Sequence, residues 1–265
     1  IRKRVTTVSA GAGYGKTTLI AQAMCDHDHV WYRLDSLDRD LVNFLSYLVT
    51  GIRKVYPGFG REITTRLVEG TSLGLEYEAV LSLFVQELDE ALERELIIVL
   101  EDYHVVRDTK LIRDAAQFLC DHLGQKVHLV IIGRTDPLLR LSRLRSTRDV
   151  LDIRTEDLLF TTDEIGQLFK QVFHLEIPLE SCNELHTRTA GWVSALILFF
   201  HSVRLKDTEE IKDHISGIRG SGRFISEYLE ENVYRSLPND VRDFLVRTSI
   251  LPRLNPALCN ELLEI

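Results

Sequence analysis

Apolar positions in the first 155 residues fall into short dense runs separated by amphipathic stretches. The runs are "VTTVS" (Val5–Ser9), "VWYRL" (Val30–Leu34), "LIIVL" (residues 96–100), "VHLVIIG" (Val127–Gly133) and "VLDIR" (Val150–Arg154). Short, mostly apolar runs suit strands covered on both faces, as in a parallel sheet. Between them, helical periodicity predicts helices over 16–24, 39–55, 75–93, 109–123 and 137–146. Strands alternating with helices predict an α/β fold: a doubly wound, five-stranded parallel sheet.

After Arg154 the strand signal stops. "TTDEIGQLFKQVFH" opens with Thr161 and Glu164 at capping-box spacing. Ile165, Leu168, Phe169, Val172 and Phe173 follow at helical spacing and predict one apolar face. Further helices are expected over 179–188, 192–204, 222–236 and 239–248, with another after "NPALC". The glycines of "SGIRGSGR" (Ser216–Arg223) mark the expected flexible joint. There is no internal repeat and no low-complexity linker.

Composition narrows the function classes. A chain of 265 residues, 45% apolar, can bury one good core and part of a second. A formal charge of −8 argues against nucleic-acid binding by this piece alone, which needs a concentrated basic face. The four cysteines form no C-x-x-C pair and read as reduced, buried thiols of a cytoplasmic protein. The longest apolar run, "WVSALILFF" from Trp192, falls well short of the roughly 20 residues that span a bilayer. No membrane partner is expected. The chain begins with Ile1 rather than Met and stops at "ELLEI", so it is expected to be a piece of a longer intracellular protein.

The segment "AGAGYGKTTL" joins the first strand to the first helix, the setting a Walker A phosphate loop requires. Its backbone N–H groups are expected to form a concave anion site at the positive end of the helix. Ala10 stands where the motif has its first glycine, a place where small size suffices. Residues Gly11, Ala12, Gly13, Tyr14 and Gly15 form the loop, and Gly13 and Gly15 can supply positive φ and close approach to phosphate. Lys16 is expected to reach the β- and γ-phosphates and Thr17 to ligate Mg²⁺, with Thr18 beside it. The alternative is a Gly-rich turn that happens to precede a helix.

A second half of the template lies in "LIIVLEDYH" (residues 96–104). Acids at the C-terminal end of a central strand face the crevice where open α/β sheets bind ligands. Glu101 takes the Walker B place, holding Mg²⁺ through water, and Asp102 the place that polarises the attacking water. Arg134, just past the third run in "GRTDP", can grip the γ-phosphate with its planar fork. The plainer readings are an acidic turn and a surface arginine. His104 could sense the phosphate or cap a turn. "CDHDH" (Cys25–His29) is read as a solvated turn before a metal site, and the arginines of "RLSRLRSTR" as a solvated face or interdomain contact.

The blocks "AGYGKTTL", "LEDYH", "GRTDP" and "GWVSALIL", with "YLEENVYRSLPNDVRDFLVRTSIL" and "LNPALCNELL" after them, resemble a known family. They look like the nucleotide-binding region of the large ATP-dependent LuxR-type transcriptional regulators, the maltose-regulon activator class, within the signal-transduction ATPases with numerous domains (STAND). The resemblance covers nearly the whole chain. It implies a P-loop nucleotide-binding domain over 1–155, a helical domain over 156–236 and the start of a winged-helix domain over 237–265. It also implies ADP as a latch for a resting state, ATP favouring self-association, and DNA binding only through a C-terminal domain outside this chain. The family has two aspartates where this chain has Glu101 and Asp102. It has a proline, touching nucleotide from the helical domain, where this chain has Val193. The expected function is an ATP/ADP switch with slow, Mg²⁺-dependent hydrolysis as its reset. The alternatives are an AAA+-like energy-coupling ATPase and an ADP-binding interaction module that does not hydrolyse. An ABC-type ATPase is disfavoured because no "LSGGQ"-like signature is present.

Overall fold

The computed structural model describes residues 3–69, 73–203, 223–251 and 253–263. It divides into two compact units, residues 1–159 and 160–265. The glycine-rich joint expected at Ser216–Arg223 lies outside the described residues except for its last residue.

The first unit carries five strands: β1 (Val5–Ser9), β2 (His29–Arg33), β3 (Leu96–Glu101), β4 (Val127–Gly133) and β5 (Val150–Arg154). All pair in parallel, in the order β2-β3-β4-β1-β5. The two-residue period of a strand sends alternate side chains to opposite faces. Ile98, Leu100, Leu129 and Ile131 therefore enter one buried cluster. Ile97, Val99, Val130 and Ile132 enter another on the opposite face. Helices cover both. Helices α2 (Leu41–Arg53), α3 (Arg61–Glu69), α4 (Leu73–Ala91) and α5 (Lys110–His122) contribute to the first cluster, and α1 (Lys16–Met24) supplies Ile20 and Met24 to the second. The α/β fold with five parallel strands is the one expected.

Local departures have local causes. The helix expected over 39–55 is divided at Asp40. Its side chain accepts from the Asn43 amide at 3.0 Å and starts α2, after a 3₁₀ turn at Ser36–Arg39 capped by Asp35. Helix α3 was not expected, because its sequence "REITTRLVE" is mostly polar and buries Ile63 and Leu67 one turn apart. The helix expected over 137–146 shrinks to α6 (Ser142–Ser146), since Pro137 lacks an N–H and Leu138 has φ +57°.

The second unit is helical throughout its described residues. Helix α7 (Thr162–Gln167) starts at the expected capping box, with the Thr161 amide donating to Glu164 at 2.8 Å. It runs on as a π-helical turn over Leu168–Val172. The wider turn rotates the residues after it about the helix axis, so Val172, expected on the apolar face, is 61% exposed while Phe173 packs inward. Helices α8 (Leu179–Thr189), α9 (Val193–Val203), α10 (Arg223–Asn232), α11 (Asn239–Thr248) and α12 (Pro256–Leu263) follow among the described residues. Between α8 and α9, Gly191 has φ +76°, and a Cβ there would sit 2.4 Å from the Phe160 carbonyl oxygen. Only glycine fits that place.

Candidate nucleotide site

Residues 10–15 turn from β1 into α1 as a loop. Gly13 has φ +76° and Gly15 φ +79°, the left-handed backbone their sequence positions suggested. Gly15 immediately precedes α1, so Lys16, Thr17 and Thr18 occupy the first helical turn, where unpaired amides concentrate positive potential. Ala10, at the motif's first glycine, is buried and packs its methyl among Val8, Ile20 and Ile132. Its amide donates to the Gly133 carbonyl at 3.3 Å, tying the loop to β4.

The Lys16 ammonium donates to the Gly11 carbonyl at 2.6 Å and so lies across its own loop. Burial holds its pKa below the usual lysine value. The nearby Arg134 charge pushes the same way, and Asp102 and Glu101 oppose both. A half-desolvated ammonium beside a second cation is a good partner for an anion. Arg134 is exposed just beyond β4, so the structure brings it to the electrostatic neighbourhood of Lys16.

Glu101 ends β3 and gathers two donors. The Thr17 hydroxyl donates to its Oε1 at 2.5 Å, and the Trp31 indole N–H donates to its Oε2 at 2.9 Å. Thr17 and Glu101, the two residues assigned to the metal from sequence, are therefore in direct contact. A hydroxyl and a carboxylate oxygen are the hard ligands Mg²⁺ takes from a protein, with phosphates and water completing the octahedron. Among the described residues no group of three or more His, Cys, Asp or Glu is placed to hold a metal by itself.

Asp102 faces elsewhere. Its backbone is left-handed, φ +57°, and leads into a 3₁₀ turn over Tyr103–Val105. Left-handed backbone costs a non-glycine residue about 1 kcal/mol or more and clusters at functional sites. Its carboxylate accepts from the Arg33 Nε at 2.9 Å. His104 lies 3.9 Å from the other oxygen, and its buried Nδ1 has no hydrogen bond among the described residues. Burial lowers the His104 pKa from the ordinary histidine value. Asp102 opposes that shift, while Arg134, Lys16 and Arg107 add to it.

Trp31 and Arg33 were not among the residues read from sequence. Both sit on β2, two residues apart and so on one face, and Arg33 is in register with Glu101. Their signal was a tryptophan and an arginine alternating in a strand, but the neighbouring strand had to be known to give it meaning. Val193 opens α9 in the second unit, a different compact unit from the loop. In the "CDHDH" turn Asp28 pairs with Arg94, and His29 Nδ1 bonds the His27 carbonyl at 2.9 Å. The arginine-rich stretch is tied within its own unit, with Arg143 on Asp121 and Arg145 on Asp152.

A parallel sheet in this order, with a glycine-rich loop feeding the Lys16 helix beside acids at the end of β3, is the fold of a P-loop NTPase. Solved structures share it. The chain is similar to a STAND protein with a tetratricopeptide repeat sensor from Pyrococcus horikoshii, with TM-score 0.57, 19% identity, and coverage of 99% of this chain and 35% of that one. It is also similar to a Walker-type ATPase of Pyrococcus abyssi, with TM-score 0.54, 15% identity, and coverage of 99% and 83%. Sequence comparison is more particular. Over 260 residues, 96% of this chain and 28% of the relative, it is 32% identical to the HTH-type transcriptional regulator MalT of Cronobacter sakazakii. Over 262 residues it is 32% identical to the MalT regulator of Yersinia enterocolitica, again with 96% and 28% covered. Residues 229–265 match the MalT winged helix domain, a stretch that begins before the expected Leu237. The resemblance to the maltose-regulon activator class stands. The chain spans 28% of the length of these curated relatives.

Proposed function

We propose that this chain is the ATP/ADP-binding switch module of a transcriptional regulator. The observation that supports it best is the convergence, at the C-terminal ends of β1 and β3, of a loop with two left-handed glycines, Lys16, and the Thr17–Glu101 pair. In this reading loop amides and Lys16 hold the phosphates, and Thr17 and Glu101 hold Mg²⁺. The metal, when bound, neutralises phosphate charge. Asp102 accepts a hydrogen bond from the attacking water and orients it, and Arg134 meets the γ-phosphate. Hydrolysis is slow and returns the module to an ADP-bound rest. Residues 1–155 bind nucleotide, residues 156–236 form a helical domain with Val193 at the family's proline position, and residues 237–265 begin a winged helix. Self-association and DNA binding belong to the longer cytoplasmic protein, with DNA contacted by a domain outside this chain.

Lys16→Ala removes the side-chain cation seated on the loop. The variant is expected to keep the wild-type circular dichroism spectrum and to lose ADP binding in calorimetric titration. Tight ADP binding by a folded variant would overturn the assignment.

A further inference from the structure

We propose that Trp31 sets the cation preference of this site by locking Glu101 into a one-oxygen mode. The inference deepens the nucleotide reading above and rests on it. β2 and β3 run parallel with Trp31 opposite Val99 and Arg33 opposite Glu101. Trp31 thus points to the same face as Glu101 and reaches it one step along the strand. The indole Nε1–H holds Oε2 at 2.9 Å, while Thr17 holds Oε1 at 2.5 Å. Rotation of the carboxylate breaks one bond or the other. An indole N–H only donates, so it occupies one oxygen without competing for a cation or adding charge. Oε1, beside the Thr17 hydroxyl, is then the oxygen left to face a metal.

That difference separates two hard cations. Ca²⁺ accepts carboxylates in two-oxygen mode at long, flexible distances, whereas Mg²⁺ needs a tight octahedron and takes one oxygen from each carboxylate. Glutamate, one methylene longer than aspartate, could otherwise swing to offer both oxygens. Trp31 blocks that swing. It is a positioning residue, acting on the metal through Glu101.

The test is calorimetric titration of ADP at stepped Mg²⁺ or Ca²⁺ concentrations, with EDTA as control, for wild type, Trp31→Phe, Glu101→Ala and the double variant. Phenylalanine keeps the ring in the strand and removes only the donor. Loss of one hydrogen bond to a charged group is expected to raise the Mg²⁺ needed for half-maximal enhancement about tenfold in W31F. The Ca²⁺ requirement is expected to move less, so the preference for Mg²⁺ narrows. ADP affinity in EDTA should match wild type. In the Glu101→Ala background W31F should add nothing, because the carboxylate it acts on is gone. An unchanged Mg²⁺ curve in W31F overturns the proposal, as does an equal loss with and without Glu101. Wild-type protein that fails to bind ADP at all overturns the nucleotide reading and this proposal with it.

Discussion

Glu101 and Asp102 are neighbours in sequence, yet their carboxylates have separate partners: Thr17 and Trp31 for one, Arg33 for the other. Left-handed backbone at Asp102 turns it away from the path of β3 and makes that division possible. The roles assigned to them predict different failures. Asp102→Asn keeps the shape and loses the charge that orients water. Nucleotide should still bind, and single-turnover hydrolysis should fall by about 10²- to 10⁴-fold. Glu101→Gln should instead raise the Mg²⁺ requirement. Normal hydrolysis in Asp102→Asn with loss in Glu101→Gln would reverse the two roles. The motif residues were legible because Walker chemistry fixes residue type at fixed spacing. Trp31 and Arg33 were not, because a strand's alternation gives a face but no partner until strand order is known. Arg33 is largely exposed, so its ion pair contributes at most about 1 kcal/mol to stability.

At the scale of elements, dense apolar runs revealed all five strands, while helices of mixed polarity were harder to read. α3 hides because two buried residues one turn apart give too little periodicity to stand out from a polar loop. The loss of helix before α6 comes from Pro137 and from the left-handed Leu138, a conformation no propensity assigns to leucine. The π-turn of α7 is invisible to a pattern built on 3.6 residues per turn. Gly191 gives the sharpest test of an element junction. Gly191→Ala forces a Cβ against the Phe160 backbone and keeps a left-handed φ. The backbone term alone costs about 1–2 kcal/mol. The melting temperature of the full chain, followed in the helical unit, should fall by several degrees. An unshifted transition would mean the α8–α9 junction relaxes freely.

For the whole molecule, two compact units make nucleotide linkage a test of the switch. ADP at about 100 times its Kd should stabilise whatever folds around it by about 2.7 kcal/mol. If ADP latches the helical domain, the melting of residues 160–265 should shift together with that of residues 1–159. A shift confined to residues 1–159 would leave a nucleotide-binding domain without a latch. Differential scanning calorimetry with and without ADP separates these outcomes.

The strand order carries one more consequence, for the history of the chain rather than its finished form. β1 precedes the other four strands of the sheet in sequence, yet its neighbours in that sheet are β4 and β5: Val5 lies opposite Leu129 on one side and Val150 on the other. The strand that delivers the phosphate loop must therefore wait, unpaired, until more than a hundred further residues have left the ribosome. β2, β3 and β4 can associate meanwhile, since each adjoins the next in sequence. β1 then slots between two later strands, and long-range closures of this kind are slow. The phosphate cradle is complete only once β4 and β5 are in place, so nucleotide can reward a finished sheet but cannot guide its early steps.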